Sequence, residues 1–177
     1  MTTLLTASYP LPPSIQALEL RQKSASLISR LLATFGTSYS TLSGRVAKTL
    51  LKALKGDSQA IGSTASNNIG TRLGALIGLK SIGKYTAIKA LIHDSGLRGI
   101  SDLSENLEDS GKLQVIETII DTLTEILPAA TEDVDVPATD LEDVCGSFVS
   151  SAIELNRPEI SKSIVLALKD EDIESKT

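Results

Sequence analysis

The sequence predicts an all-α domain in which about seven or eight helices form stacked antiparallel hairpins, an α-solenoid. Apolar residues make up 41% of the 177 residues, yet the chain has no Trp, two Phe and three Tyr. A core of Leu, Ile, Val and Ala suits helices better than strands, which are rich in aromatic and β-branched residues. Apolar residues also recur at spacings of three and four. A globular helix bundle is the competing architecture.

Five segments are expected along the chain. Residues 1–13 contain three prolines and should form an extended lead-in, and residues 14–127 should form the helical stack. Residues 128–137 read as an acidic linker, residues 138–169 as C-terminal helices packed on the same stack, and residues 170–177 as a charged tail.

The expected helices begin or end near glycine, proline or serine residues that typically mark helix boundaries. In chain order they cover residues 14–35, 41–55, 70–82, 84–93, 99–107, 112–127, 138–155 and 158–168. The small, polar residues 57–69 should form a flexible loop.

The third helix carries glycines four residues apart, at Gly70, Gly74 and Gly78. Each glycine costs about 1 kcal/mol of helix propensity relative to alanine. Close approach of a neighbouring helix would explain them, because the missing Cβ atoms let two backbones come together. The rest of this helix is apolar nearly all round, so it should be central and buried.

The net charge of −5 hides an uneven division. Residues 1–100 carry 12 Lys/Arg and three acidic residues, whereas residues 101–177 carry five Lys/Arg and 19 acidic residues. This asymmetry indicates a molecule with a basic end and an acidic end.

The second helix is the clearest amphipathic one, with its basic side chains on the side opposite the apolar residues: Arg45, Lys48, Lys52 and Lys55. Two interpretations stay open, an ordinary solvated face or an electrostatic contact with an acidic protein or with phosphates. No aromatic residue interleaves this stripe, so base stacking is not indicated.

The sequence shows no metal, cofactor or catalytic site. A single histidine, His93, and a single cysteine, Cys145, cannot build a zinc site, and Cys145 should be a small core residue. The many carboxylates after residue 101 single out no acid–base pair.

One segment, Gly78 to Tyr85, nearly matches the phosphate-binding loop G-x-x-x-x-G-K-[ST], with Tyr85 in the place of the hydroxyl residue. That motif requires a strand before the loop, and here a helical run precedes it. A helix–turn–helix junction is the favoured interpretation, and a nucleotide site is the minor one.

The first ten residues lack a basic segment followed by an apolar run, so no signal peptide is expected. No uncharged apolar stretch reaches 18 residues. The chain is therefore expected to be intracellular and soluble.

Two segments resemble a known family. Leu42–Leu54 resembles its Leu-x-x-Arg-Ile-x-Lys-Thr helix, and Thr71–Gly83 resembles its Thr-Arg-Tyr-Gly-Ala-Ile-x-Gly-Leu-x-x-Leu-Gly helix. The chain thus resembles the C-terminal HEAT-repeat domain of TBP-associated factor subunit 6, a TFIID subunit shared in fungi with the SAGA coactivator. The resemblance is good over residues 17–95 and thin to residue 127.

The resemblance implies a non-catalytic, nuclear scaffold that contacts other TBP-associated factors and TFIID or SAGA subunits during transcription initiation. It implies no cofactor, no membrane and no small-molecule substrate, and it allows a weak DNA contact through the basic face. The positions of this chain that match the family's motifs are Arg45, Arg72, Gly74 and Gly78. Arg72 joins the candidate partner surface, with a capping or interhelical hydrogen-bond role as an equal alternative.

This chain departs from the family pattern at several points. Leu73 replaces the aromatic residue, the loop after the second helix is longer, and the family's N-terminal histone fold has no counterpart here, so histone-fold pairing is not carried over. Two other functions stay open: a helical nucleic-acid-binding module that uses the basic half, and, less favoured, a nucleotide-binding enzyme that uses Gly78–Lys84.

Overall fold

The computed structural model describes residues 15–56, 69–104, 109–129 and 138–169, and all regular structure in these ranges is helical. This confirms the predicted all-α, HEAT-like architecture. The elements are α1 (Ile15–Phe35), α2 (Leu42–Lys55), α3 (Ile69–Ser81), α4 (Lys84–Ile88), a π-helical turn (Lys89–His93), α5 (Gly96–Ser104), α6 (Asp109–Ile126), α7 (Ala138–Cys145), α8 (Ser147–Asn156) and α9 (Pro158–Lys169).

Several expectations concern residues outside these ranges. They are the extended lead-in, the polar loop over residues 57–68, the acidic linker from residue 130 onwards, and the charged tail. None of the helices in the described ranges is long and apolar enough to cross a membrane.

Helix α3 lies at the centre of the first part of the stack, where it packs against α1, α2 and α6. Its apolar side chains Leu73, Leu76 and Leu79 are at most 2% exposed. Its three glycines, at positions 70, 74 and 78, are also buried. A helix that is apolar nearly all round can bury every side only when it has packed neighbours on every side, as α3 has here.

One hydrophobic cluster runs through the described residues, from Ala25 on α1 to Ala167 on α9. The C-terminal helices belong to it: α7 and α8 pack on α5, and α9 packs on α7, α8 and the π-helical turn. Nε2 of His93 donates a hydrogen bond of 3.2 Å to the carbonyl of Ala167, which ties α9 to the π-helical turn.

The single helix predicted over residues 84–93 is in fact α4 followed by the π-helical turn. The N–H of Asp94 donates to the carbonyl of Lys89 at 2.8 Å, five residues back instead of four. Ala90, Leu91 and Ile92 are buried in this turn. A hydrophobic pattern with the ordinary helical period gives no sign of this widening.

The helix predicted over residues 138–155 is divided at Gly146, which has a φ of 78°. A Cβ atom at this glycine would lie 2.5 Å from the side chain of Ser101. The hydroxyl of Ser101 accepts a 3.1 Å hydrogen bond from the N–H of Phe148 and so caps the start of α8. Arg98 donates at 3.1 Å to the carbonyl of Asp143, near the end of α7. Side chains of α5 thus define this break.

Helix α5 begins at Gly96, three residues before the predicted start, because glycine permits a close approach there. A Cβ atom at Gly96 would lie 2.6 Å from the carbonyl oxygen of Ala90 and 2.9 Å from the Leu54 side chain. A Cβ atom at Gly99 would lie 3.0 Å from the Cα of Lys55. Gly96 and Gly99 therefore let α5 lie directly against the end of α2.

Cys145 is fully buried at the end of α7, as a small core residue should be. Burial raises the pKa of its thiol to about 12. The thiol consequently stays protonated and unreactive at neutral pH.

Replacement of Gly74 by leucine should lower the stability of the fold. Gly74 is buried in a helix with neighbours on several sides, so a leucine side chain must displace packed groups. We expect a loss of roughly 1–3 kcal/mol and a melting temperature lower by roughly 2–12 °C, measured by circular dichroism. Gly44→Leu is the matched control, because a Cβ atom at Gly44 meets nothing within 4 Å. Equal melting temperatures for the two variants would contradict tight packing of α3.

Ser101→Ala should remove the cap of α8. The buried hydroxyl accepts the Phe148 N–H, and loss of such a cap costs about 1 kcal/mol. Urea denaturation should show this loss, while Ser151→Ala, at an exposed position of α8 itself, should leave the unfolding midpoint unchanged or slightly higher. A midpoint that does not change in Ser101→Ala would show that the cap contributes nothing.

Candidate partner-binding surface

Helix α2 separates apolar and basic side chains cleanly. It buries Ala47, Leu50, Ala53 and Leu54 against the core. Its four predicted basic residues are all exposed: Arg45, Lys48, Lys52 and Lys55. Lys52 and Lys55 also stand in the last turn, where a positive charge interacts favourably with the helix dipole. The structure therefore places these four residues on one continuous solvent-facing side, which we call the basic face.

The basic face carries charge that is not neutralised by its described surroundings. Ion pairs within the described ranges involve Lys23, Lys80 and Arg157. None of them includes a residue of the basic face. An acidic group from another molecule would therefore meet cations without displacing an existing acidic partner from among the described residues.

A groove of about 420 Å³ runs along the edge of the basic face, between α2 and the segment formed by α4 and the π-helical turn. We call it the α2 groove. Ala47, Leu51 and Ala90 supply apolar side chains to it. Lysines stand on both walls, Lys48 and Lys55 from α2 and Lys89 from the other side; Gly44, Thr86 and Asp94 complete the lining.

Lys89 was not predicted from the sequence as a site residue. Thr86, Lys89 and Ala90 are spaced so that they share one side of a helix, which was visible in the sequence. The sequence does not show that this side faces α2, because the two segments in contact are about 35–40 residues apart along the chain. Only the packing of α4 and the π-helical turn beside α2 brings Lys89 to the basic face.

Arg72, predicted as part of the partner surface, is not at the surface. It is 6% exposed, and its Nη1 donates a hydrogen bond to the carbonyl of Gly99 on α5. Burial lowers the pKa of its guanidinium from the ordinary value, and the nearby charge of Asp102 opposes this change. The guanidinium joins α3 to α5, which is the interhelical role that the sequence left as the alternative.

The segment that resembles a phosphate-binding loop is a junction between two helices. Helix α3 extends to Ser81, whose hydroxyl donates at 2.7 Å to the carbonyl of Gly78, and α4 begins at Lys84. A helix therefore stands where the phosphate-binding motif requires a strand. Within the described ranges, no cluster of three His, Cys, Asp or Glu residues could hold a metal ion.

Lys80, inside the same segment, is used in packing. Its Nζ lies 3.2 Å from a carboxylate oxygen of Asp121 and 2.5 Å from one of Glu125, both on α6. Burial lowers the pKa of Lys80, but hydrogen bonds to Glu125 and Asp121 outweigh this effect and raise the pKa overall. These ion pairs fasten α3 to α6.

A larger groove, of about 670 Å³, is lined by residues of α1, α3 and α6. Its charges are mixed, since Arg30 and Lys80 face Glu117, Asp121 and Glu125. Two of these carboxylates already hold Lys80. The larger groove therefore offers less unneutralised charge than the α2 groove.

Helix α1 presents a second exposed feature, a stripe of large apolar side chains. Leu20, Leu27, Leu31 and Phe35 are 36–45% exposed. Their spacing places them on one side of the helix, next to the side that packs on α3.

A comparison with protein-family profiles matches residues 1–96 to the family described as the TAF6 C-terminal HEAT repeat domain. The match covers more than half of the 177 residues and includes α1 to α4, the π-helical turn and the basic face. Comparisons with curated proteins and with solved structures gave no match. The chain belongs to the TAF6 C-terminal HEAT repeat domain family, as its two motif segments predict.

Proposed function

We propose that this chain is a non-catalytic scaffold that organises a TFIID-type assembly for RNA polymerase II transcription initiation. Its partners are other TBP-associated factors and neighbouring subunits of TFIID or SAGA, and its place of action is the nucleus. HEAT-repeat domains of this family are a helical scaffold type, and the family match is the observation that carries the proposal.

The arrangement of the described helices supports this function. One hydrophobic cluster links the helices from α1 to α9, so outward-facing side chains are held on a defined framework. The basic face presents four exposed cations on that framework, and none of them has an acidic ion-pair partner among the described residues. Such a surface accelerates and orients encounters with an acidic protein.

The basic face also supports a second candidate, a helical module that binds nucleic acid. Lysine and arginine side chains in a row can contact phosphates without reading sequence. The lack of an aromatic residue among them favours contacts to the backbone over stacking on bases. In this second candidate the same residues would act, but affinity would depend steeply on salt.

Charge reversal on α2 should separate the chain from its assembly. The tagged chain should capture TFIID or SAGA subunits, identified by mass spectrometry, and the Lys48→Glu/Lys52→Glu variant should recover at least about fivefold less. The control Lys23→Glu/Lys169→Glu introduces the same charge change at two exposed positions on α1 and α9 and should capture normally. Failure of the unmodified chain to recover any such subunit would contradict the scaffold function.

Two binding assays should separate the scaffold from its alternatives. We expect Mg²⁺–ATP to leave the melting temperature unchanged, because a ligand stabilises only a protein that binds it. A stabilisation that disappears in Lys84→Ala would instead support a nucleotide site. We also expect little or no gel shift of duplex DNA at physiological salt, and strong binding that falls steeply between low and high salt would favour the nucleic-acid module.

A further inference from the structure

We infer that the α2 groove receives an acidic amphipathic helix from a partner protein. This inference rests on the proposed scaffold function, and it adds the location of one contact and the chemistry of the partner. The argument uses the apolar floor, the lysines on both walls and the helices that form the groove.

The floor of the α2 groove suits apolar side chains. Ala47 and Ala90 are 9% and 3% exposed and Leu51 is partly buried, so these short or half-buried side chains leave a shallow apolar trough. Apolar groups of a partner that fill this trough would remove both surfaces from water, which favours association.

The walls of the groove suit carboxylates. Lys48 and Lys55 stand on α2, and Lys89 stands on the opposite side. Among the described residues of the lining, Asp94 is the single acidic one. A helix with acidic residues on both flanks of an apolar stripe would place a carboxylate near a lysine on each wall.

Protein fits this lining better than nucleic acid. A phosphate backbone could contact the three lysines, but it would gain nothing from the alanine and leucine floor. Asp94 would repel a phosphate backbone, which carries a charge at every nucleotide, whereas a partner helix can place its carboxylates beside the lysines alone. Asp94 marks one end of the groove. That end lies beside the C-terminus of α2, since the neighbouring Gly96 is packed against the Leu54 side chain.

A helix fits the groove better than an extended strand. A peptide that binds as a β-strand pairs its backbone N–H and C=O groups with a sheet edge, and the described residues form no strand. A helix satisfies its own backbone and can lie along two other helices. The groove follows α2 from Gly44 to Lys55, about 16 Å at 1.5 Å per residue, which accommodates about three turns.

The lysine spacing specifies a pattern in the partner. Lys48 and Lys55 are seven residues apart, so they lie on the same side of α2 about two turns from each other. Acidic residues seven positions apart on one flank of the partner helix would match them. Apolar residues three or four positions from those acids would reach the floor, and a third acid on the other flank would approach Lys89.

The experiment measures binding of a fluorescein-labelled peptide of about 18 residues, built on this pattern with leucines and glutamates, to the full chain by fluorescence anisotropy. A peptide of the same composition in scrambled order should bind at least about tenfold more weakly. The Lys48→Glu/Lys89→Glu variant should lose at least about tenfold in affinity for the designed peptide.

The matched control is Lys23→Glu/Lys169→Glu, the same double charge reversal at two exposed residues that neither line the groove nor belong to the basic face. It should change affinity by no more than about threefold. Leu51→Ala, which keeps every charge, should also weaken binding, because it removes part of the floor. Circular dichroism of each variant should confirm its unchanged fold.

Several outcomes would overturn the inference. An equal loss of affinity in Lys23→Glu/Lys169→Glu and Lys48→Glu/Lys89→Glu would assign the effect to the net charge of the chain. Displacement of the peptide by duplex DNA would assign the groove to nucleic acid. Self-association of the unmodified chain at low salt, abolished in Lys48→Glu/Lys89→Glu, would assign it to a second copy.

The proposed contact in the α2 groove and the proposed scaffold function can be tested separately. If Lys48→Glu/Lys89→Glu still captures TFIID or SAGA subunits at the level of the unmodified chain, the groove is not the contact although the scaffold function stands. If the unmodified chain captures none, the scaffold function itself fails.

Discussion

The burial of α3 is the constraint on which the first part of the structure depends. Its apolar residues meet α1, α2 and α6 at once. Its two long cationic side chains find partners at the boundary of the core, Arg72 on a carbonyl of α5 and Lys80 on two carboxylates of α6. Because the apolar side of α2 packs against the core, its basic side faces solvent. The outward position of the basic face is thus a consequence of how α3 is surrounded.

Patterns within one helix were sufficient to predict much of this arrangement. The separation of apolar and basic residues on α2 follows from the period of the helix, and the structure reproduces it. The near-uniform apolar character of α3 likewise predicted a central position. These features depend on neighbours three or four residues away, which a sequence displays directly.

Features that depend on distant residues could not be predicted. The apolar spacing over residues 138–155 is continuous, and it is divided because Ser101 occupies the space next to Gly146 and caps the new helix. Lys89 joins the basic face only through the packing of two helices. Arg72 was grouped with the surface by its motif, and its burial depends on the carbonyl of Gly99, 27 positions further along the chain.

Helix α5 begins where the family match ends, and it supplies end contacts to α7 and α8. Arg98 donates a hydrogen bond to a carbonyl in the last turn of α7, and Ser101 accepts one from an N–H in the first turn of α8. Backbone groups at helix ends lack partners within the helix, and these contacts supply them. Helices α7 and α8 are therefore stabilised by their contacts with α5. The two parts of the chain should accordingly lose structure together, in one cooperative step, and not as independently melting units.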